Sequence, residues 1–261
     1  MRILILGGTG EGFSLAERLH PVPGIDVISS MAGRTDAPKT PLGRVRRGGF
    51  GGPDGLSAYL KAERIAAMID ATHPFASGIS KNAASAAAKT GTPVVHIRRP
   101  GWKKTAEDRW DEVATVRDAA AAIPAGTGLT FLTTGKMQLH RFAKRHDVPF
   151  LARTVGPIST RDKARGLPPQ LSFVYDRGPF DLEAERRLLI DHDVKLMVTK
   201  NSGGDAAYAK LIAARELGIP VIMVRRPDAP DGICVADADE AMVWLTGLPN
   251  VGERLLEGSP V

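Results

Sequence analysis

The first dozen residues constrain this chain more than any other stretch. Met1-Arg2-Ile3-Leu4-Ile5-Leu6 is an apolar run of strand length, and Gly7-Gly8-Thr9-Gly10-Glu11-Gly12 follows without a spacer. From Phe13 the apolar residues Phe13, Leu15, Ala16 and Leu19 fall at helical spacing. Strand, glycine turn and helix, in that order, form the phosphate-binding corner of a dinucleotide fold. The glycines let the backbone approach a pyrophosphate. The first-turn N–H groups, at the positive end of the helix dipole, can then hold it. Gly8, Thr9, Gly10 and Glu11 are therefore candidate cofactor ligands. The turn reads Gly8-x-Gly10-x-Gly12 rather than G-x-G-x-x-G, so a tight turn that binds nothing is the competing reading.

Short β-rich runs and alanine-rich helical stretches alternate along the rest of the chain. Strands are expected at 25–30, 66–71, 94–97 and 109–114, with helices at 56–61, 77–89 and 116–123. Pro124-Ala125-Gly126-Thr127-Gly128 interrupts this series. A second series then runs through strands at 129–132, 149–152, 172–175, 195–198 and 221–224, with helices at 137–145, 182–191 and 206–217. Repeats of about thirty residues match βαβ units and imply mainly parallel sheets. The expected architecture is α/β, with two Rossmann-like lobes and a cleft between them. The expected domains are 1–124, binding the cofactor, and 125–261, binding the substrate.

Composition narrows the function classes. A hydrophobic share of 43% with 25% charged residues over 261 positions is that of a globular chain, with no apolar run long enough to span a bilayer. Met1 leads straight into a core strand, so no signal peptide is expected. The lone cysteine, Cys234, cannot form an internal disulfide, and a cytoplasmic location is expected. The net charge of +6 favours an anionic partner such as a phosphate or a multi-carboxylate molecule. Nucleic acid is disfavoured, because the aromatics (5%) do not interleave with basic runs. None of the six histidines has a second ligand at metal-binding spacing, so no metal is expected.

In open parallel sheets ligands gather beyond the carboxyl ends of the strands. After the second strand, where an NAD-binding chain commonly carries Asp or Glu, this one has Ser29 and Ser30, then Gly33-Arg34-Thr35. Hydroxyls and a guanidinium suit a 2′-phosphate, which a carboxylate would repel. Ser30, Gly33 and Arg34 thus favour NADPH over NADH. Asp70-Ala71-Thr72-His73-Pro74-Phe75-Ala76 ends a buried strand in a polar turn beside the cofactor's ribose or nicotinamide. Thr72, His73 and Pro74 are cofactor-site candidates; His73 is either a general acid or an orienting group. Thr133-Thr134-Gly135-Lys136 fails the Walker pattern, which needs Gly at Thr130 and Ser or Thr at Met137. Lys136 at a helix start is still placed to bind a carboxylate. In Thr199-Lys200-Asn201-Ser202-Gly203-Gly204, Asn201 and Ser202 either cap the next helix or join Lys200 at a substrate.

The order and spacing of Gly7–Gly12, Asp70–Ala76, Thr133–Lys136 and Thr199–Gly204, over nearly the whole chain, resemble the precorrin-6A reductases of cobalamin biosynthesis. The resemblance implies NADPH-dependent reduction of one double bond of the tetrapyrrole precorrin-6A to give precorrin-6B. It also implies two Rossmann-like lobes, with the substrate in the cleft between them and strand exchange between lobes as one form of that fold. An acidic tetrapyrrole with its rim of carboxylates suits a basic site with Thr134, Lys136, Lys200, Asn201 and Ser202. The proton donor stays open among His73, Lys200 and water, and the oligomeric state is open, with a monomer admitted. Two rivals remain: a short-chain-type reductase of an acidic small molecule and a non-enzymatic NADP sensor. The first usually needs Tyr-x-x-x-Lys, whereas Tyr59, Tyr175 and Tyr208 are followed four residues on by Glu63, Pro179 and Ile212.

Overall fold

The computed structural model describes residues 1–33, 40–249 and 251–257. Its strands form two six-stranded sheets, parallel throughout. The first contains β1 (Arg2–Leu6), β2 (Asp26–Met31), β3 (Arg44–Arg47), β4 (Ile65–Asp70), β5 (Val94–Ile97) and β12 (Ile233–Val235). Its order is β3-β2-β1-β4-β5-β12. The second contains β6 (Trp110–Val113), β7 (Thr130–Leu132), β8 (Phe150–Thr154), β9 (Leu171–Tyr175), β10 (Leu196–Lys200) and β11 (Val221–Val224). Its order is β9-β8-β7-β10-β11-β6. Both orders trace the 3-2-1-4-5-6 pattern of dinucleotide folds, with the strand order reversing beside β1 in one sheet and beside β7 in the other.

The expected boundary at 124/125 does not separate these sheets. β6, which precedes it, joins the second sheet, and β12, which follows it, joins the first. The compact units are Met1–Pro100 with Pro227–Val261, and Gly101–Arg226. Each sheet thus draws its sixth strand from the far half of the chain. Periodicity marks a segment as a strand but carries no record of which sheet it joins, so the division is invisible in the residues alone.

β1 shows why the first unit is layered. Alternation sends Ile3 and Ile5 to one face and Leu4 and Leu6 to the other, and all four are buried. Ile3 and Ile5 pack with Leu15 and Leu19 of α1 (Gly10–Leu19) and with Ala241 and Leu245 of α8 (Ala238–Thr246). Leu4 and Leu6 pack with Leu56 and Leu60 of α2 (Pro53–Ala62) and with Ala83 and Ala86 of α3 (Ser77–Thr90). In the second unit Phe131, Leu151, Met197 and Met223 build a core with Leu189 of α6 (Leu182–Asp191) and Leu211 of α7 (Ala209–Glu216).

Local differences from the sequence reading have local causes. β3 reads Arg-Val-Arg-Arg, lies at the sheet edge and carries no apolar alternation. The helix expected at 137–145 is a 3₁₀ helix over Lys136–Phe142, entered from Gly135 with no side-chain cap to hold an α-helical first turn. No helix among the described residues is long and apolar enough to cross a membrane.

Candidate active site

The glycine turn has the shape its sequence implies. Gly8 sits at φ +120°, a conformation that strains any residue with a Cβ. A Cβ built on Gly8 or Gly10 would meet nothing within 4 Å, so the backbone borders open space there. Gly12 serves packing instead: a Cβ there would lie 3.4 Å from Gly7 Cα and 3.5 Å from Ala71 Cβ. Thr9 caps the ten-residue α1, its Oγ1 accepting from Gly12 N–H, and donates to Ala71 O at 2.7 Å. This ties the turn to the end of β4. The first amides of α1 lack intrahelical carbonyl partners, and of these Gly12 N–H is taken by the Thr9 cap. Glu11 does not bring a bare negative charge, because its Oε1 accepts from Arg99 Nη1 at 2.8 Å. Its Oε2 is buried without a hydrogen-bond partner among the described residues. Thr9, Glu11, Thr72, Pro74 and Arg99 line a hollow beside the turn.

At the end of β2, Ser30 O accepts from Gly7 N–H at 3.0 Å, which couples this strand end to the glycine turn. Ser29 Oγ is buried and has no partner among the described residues. Arg34 lies outside the described residues. Within them, the guanidinium at Ser30 is that of Arg46, which the sequence reading did not single out. Arg46 is the register partner of Ser30 across β3, and its Nη1 donates to Ser30 Oγ at 3.2 Å. Its Cζ lies over Phe50, 3.7 Å from the ring centroid. Gly33, at φ +65°, approaches Gly48 N at 3.8 Å from its would-be Cβ.

The turn after β4 is held from below. Asp70 is buried; Oδ1 accepts from the Thr72 N–H (3.2 Å) and hydroxyl (2.7 Å), and Oδ2 pairs with His96 Nδ1 at 2.8 Å. Burial pushes this carboxyl up, but hydrogen bonds from His96, Ser80 and Thr72 outweigh it, and the pKa falls below the usual range. Above this anchor, His73 Nδ1 accepts from Phe75 N–H at 3.2 Å and His73 O from Ala76 N–H at 2.7 Å. A Nδ1 lone pair used this way belongs to a ring without a proton on Nδ1. The ring is thereby engaged in orienting its own loop.

In the second unit the two polar turns meet at the ends of neighbouring strands. β7 and β10 pair in register, and Thr133 Oγ1 donates to Thr199 Oγ1 at 2.7 Å. Thr134 is buried, and its Oγ1 has no partner among the described residues. Lys136 reaches Asp162 Oδ2 only at 4.0 Å, a loose pairing. Lys200 is half-buried, and that burial lowers its ammonium pKa to about 8. Asn201 is committed elsewhere: its Oδ1 accepts from Trp102 N–H (2.8 Å) and its Nδ2 donates to Trp102 O (2.9 Å). Asn201 O also accepts from Arg226 Nε at 2.8 Å, and Gly204 O from Trp102 Nε1 at 2.9 Å. Asn201 therefore fixes the turn that carries Lys200 and Ser202. No group of three or more His, Cys, Asp or Glu side chains forms a metal site among the described residues.

The open glycine cradle, the strand-order reversal beside β1 and the unpartnered Ser29 hydroxyl fit a dinucleotide cofactor. The side-chain commitments of Asn201 and Asp70, and the place of Arg46, depend on which strands are neighbours. Only the doublet of serines at the end of β2 hinted at the last of these.

Comparison with known proteins agrees with this geometry. A family model described as Precorrin-6x reductase CbiJ/CobK matches residues 2–246. The chain is 44% identical over 245 residues to the precorrin-6A reductase of Rhodococcus erythropolis, covering 94% of this chain and 97% of the relative. It is 42% identical over 253 residues to the precorrin-6A reductase of Mycobacterium tuberculosis, covering 95% and 99%. A solved structure of CobK precorrin-6A reductase superposes with a TM-score of 0.86 at 40% identity, covering 94% of this chain and 96% of that one.

Proposed function

Since the chain belongs to the precorrin-6x reductase family, we propose that it reduces one double bond of precorrin-6A with NADPH, giving precorrin-6B in cobalamin biosynthesis. The first unit holds the cofactor and the second recognises the acidic tetrapyrrole. Gly8, Thr9, Gly10 and the first-turn amides of α1 receive the pyrophosphate. Ser30 and Gly33 border the 2′-phosphate, with Arg34 assigned there on sequence grounds. The Thr72-His73-Pro74 turn, anchored on Asp70, sets the position of the nicotinamide. When bound, NADPH supplies the hydride.

The chain's own residues bind, orient and manage charge. Thr134, Lys136, Lys200 and Ser202 bind carboxylates of the macrocycle, with Asn201 holding their turn in place. Lys200 also suits the delivery of a proton, because a pKa of about 8 leaves most of it protonated at neutral pH yet able to release the proton. His73 is assigned an orienting role, which its Nδ1 contact with the Phe75 N–H supports. The cytoplasm is the compartment this reading assigns, in keeping with a single free cysteine. The observation that carries the reading is the open cradle at Gly8 and Gly10 beside β1. Anaerobic incubation with NADPH and precorrin-6A, or its cobalt-containing counterpart, tests it. Loss of nicotinamide absorbance matched one-for-one by a change in the macrocycle spectrum is expected. NADPH that stays reduced beside intact macrocycle would refute the assignment.

A further inference from the structure

The edge strand β3 carries three arginines in four residues, and the structure treats two of them in opposite ways. Arg44 Nη1 lies 3.3 Å from Asp26 Oδ2 and 3.5 Å from Glu63 Oε2, so its charge is met by carboxylates. Among the described residues Arg46 is met only by neutral oxygens: Ser30 Oγ at 3.2 Å, Gly48 O at 2.7 Å and Gly49 O at 2.6 Å. These bonds take both Nη1 protons and one on Nη2, leaving Nε–H and the second Nη2–H uncommitted to them. The guanidinium lies over Phe50, with Cζ 3.7 Å from the ring centroid, and near Tyr59, 5.3 Å from its centroid. It is thus braced on two sides, and no carboxylate among the described residues neutralises it. It stands at the strand end whose Ser30 carbonyl is bonded to Gly7 of the cofactor turn.

A stacked guanidinium with fixed donors recognises a phosphate with little further loss of side-chain freedom. Ser30 strengthens the site. Its Oγ accepts from Arg46 and keeps its own proton to donate to a second oxygen of the same anion. We propose that Arg46, braced by Phe50 and the Gly48–Gly49 carbonyls, binds the 2′-phosphate and so helps to distinguish NADPH from NADH. This rests on the first unit being the NADPH unit.

Titration calorimetry with 2′,5′-ADP and 5′-AMP tests it on the intact chain, since the two probes differ only in the 2′-phosphate. The unaltered protein should favour 2′,5′-ADP. Arg46→Met, which keeps an apolar stem over Phe50, should erase about ten- to hundredfold of that preference, as expected for a charge-assisted contact. Its affinity for 5′-AMP should move by less than about twofold. Arg46→Lys, which keeps the charge but loses the fork, should fall between the two and guards against a folding defect in the methionine variant. If both variants keep the full preference, or lose both probes equally while still folded, the assignment of Arg46 is wrong. If the unaltered protein itself makes no distinction between the probes, the NADPH assignment fails along with it.

Discussion

The two units share a strand order and differ at the one corner that matters. Beyond β1 the chain makes a glycine turn with φ +120° at Gly8, then a ten-residue α-helix capped by Thr9. At the equivalent place beyond β7 it makes Thr133-Thr134-Gly135-Lys136, then a 3₁₀ helix with no side-chain cap. The first corner presents backbone N–H groups and open space, which suit a pyrophosphate. The second presents hydroxyls and a lysine, with Lys200 at the end of the neighbouring strand β10, which suit separate carboxylates. A shared fold therefore does not imply a shared ligand, and the local backbone at one turn decides the difference.

The largest expected effect comes from closing the first corner. Gly8→Val puts a β-branched residue at φ +120° and fills the opening. Each charge-assisted bond lost is worth about 1.5–3 kcal/mol. NADPH affinity should fall about a hundredfold or more, while macrocycle affinity stays unchanged. Calorimetry with each ligand checks both; an equal loss of both ligands would erase the contrast between the units.

Next in size are the lysines of the second unit. Lys136→Ala and Lys200→Ala should each raise the KM for the macrocycle about tenfold, with NADPH affinity nearly unchanged, and Lys200→Ala should lower kcat as well. Added salt should weaken macrocycle binding further, since partly exposed charge pairs are screened. Steady-state kinetics across a salt series reads both. A lysine variant that loses NADPH instead would move that residue to the cofactor.

A smaller effect is expected at His73. If its imidazole only orients the loop, His73→Ala slows turnover about threefold through misplacement of the reacting groups. The pH profile should keep the shape of the parent's. Loss of one limb of that profile would make His73 the proton donor.

The smallest effect concerns stability in the second unit. Lys210 is buried, donates to Ala207 O at 2.6 Å and lies 4.5 Å from the Trp102 ring centroid. Burial, aided by Arg153 and opposed by Glu185, lowers its pKa to about 7. Between pH 7 and about 10.4 the unfolded chain keeps a proton on this amine that the folded chain has released. Stability from this group therefore rises with pH across that window, and below pH 7 its full cost is present. Lys210→Met should gain most over the parent near pH 6 and progressively less toward pH 10, by denaturant melts. A gain independent of pH would mean that the amine is not neutralised by burial.

The sequence disclosed these elements unevenly. β1, the glycine turn and α1 are legible because apolar runs, φ-permissive glycines and helical spacing are local signals. The exchanged strands are not: β6 looks like an ordinary strand that only its pairing with β11 assigns, and β12, three largely exposed residues at the sheet edge, is absent from the expected strands. β3 escaped because an edge strand exposed to water needs no apolar alternation, and Arg46 went unnoticed with it. Asn201 carries a residue type suited both to capping and to binding. Its actual partner, Trp102, lies ninety-nine positions away.

The division of labour between the units is tested most directly by amide hydrogen exchange with NADPH added to the intact chain. Protection should concentrate in residues 7–13 and 29–33, with residues 133–136 and 199–204 exchanging as before. Protection of 133–136 with an unchanged glycine turn would contradict the assignment of the cofactor to the first unit.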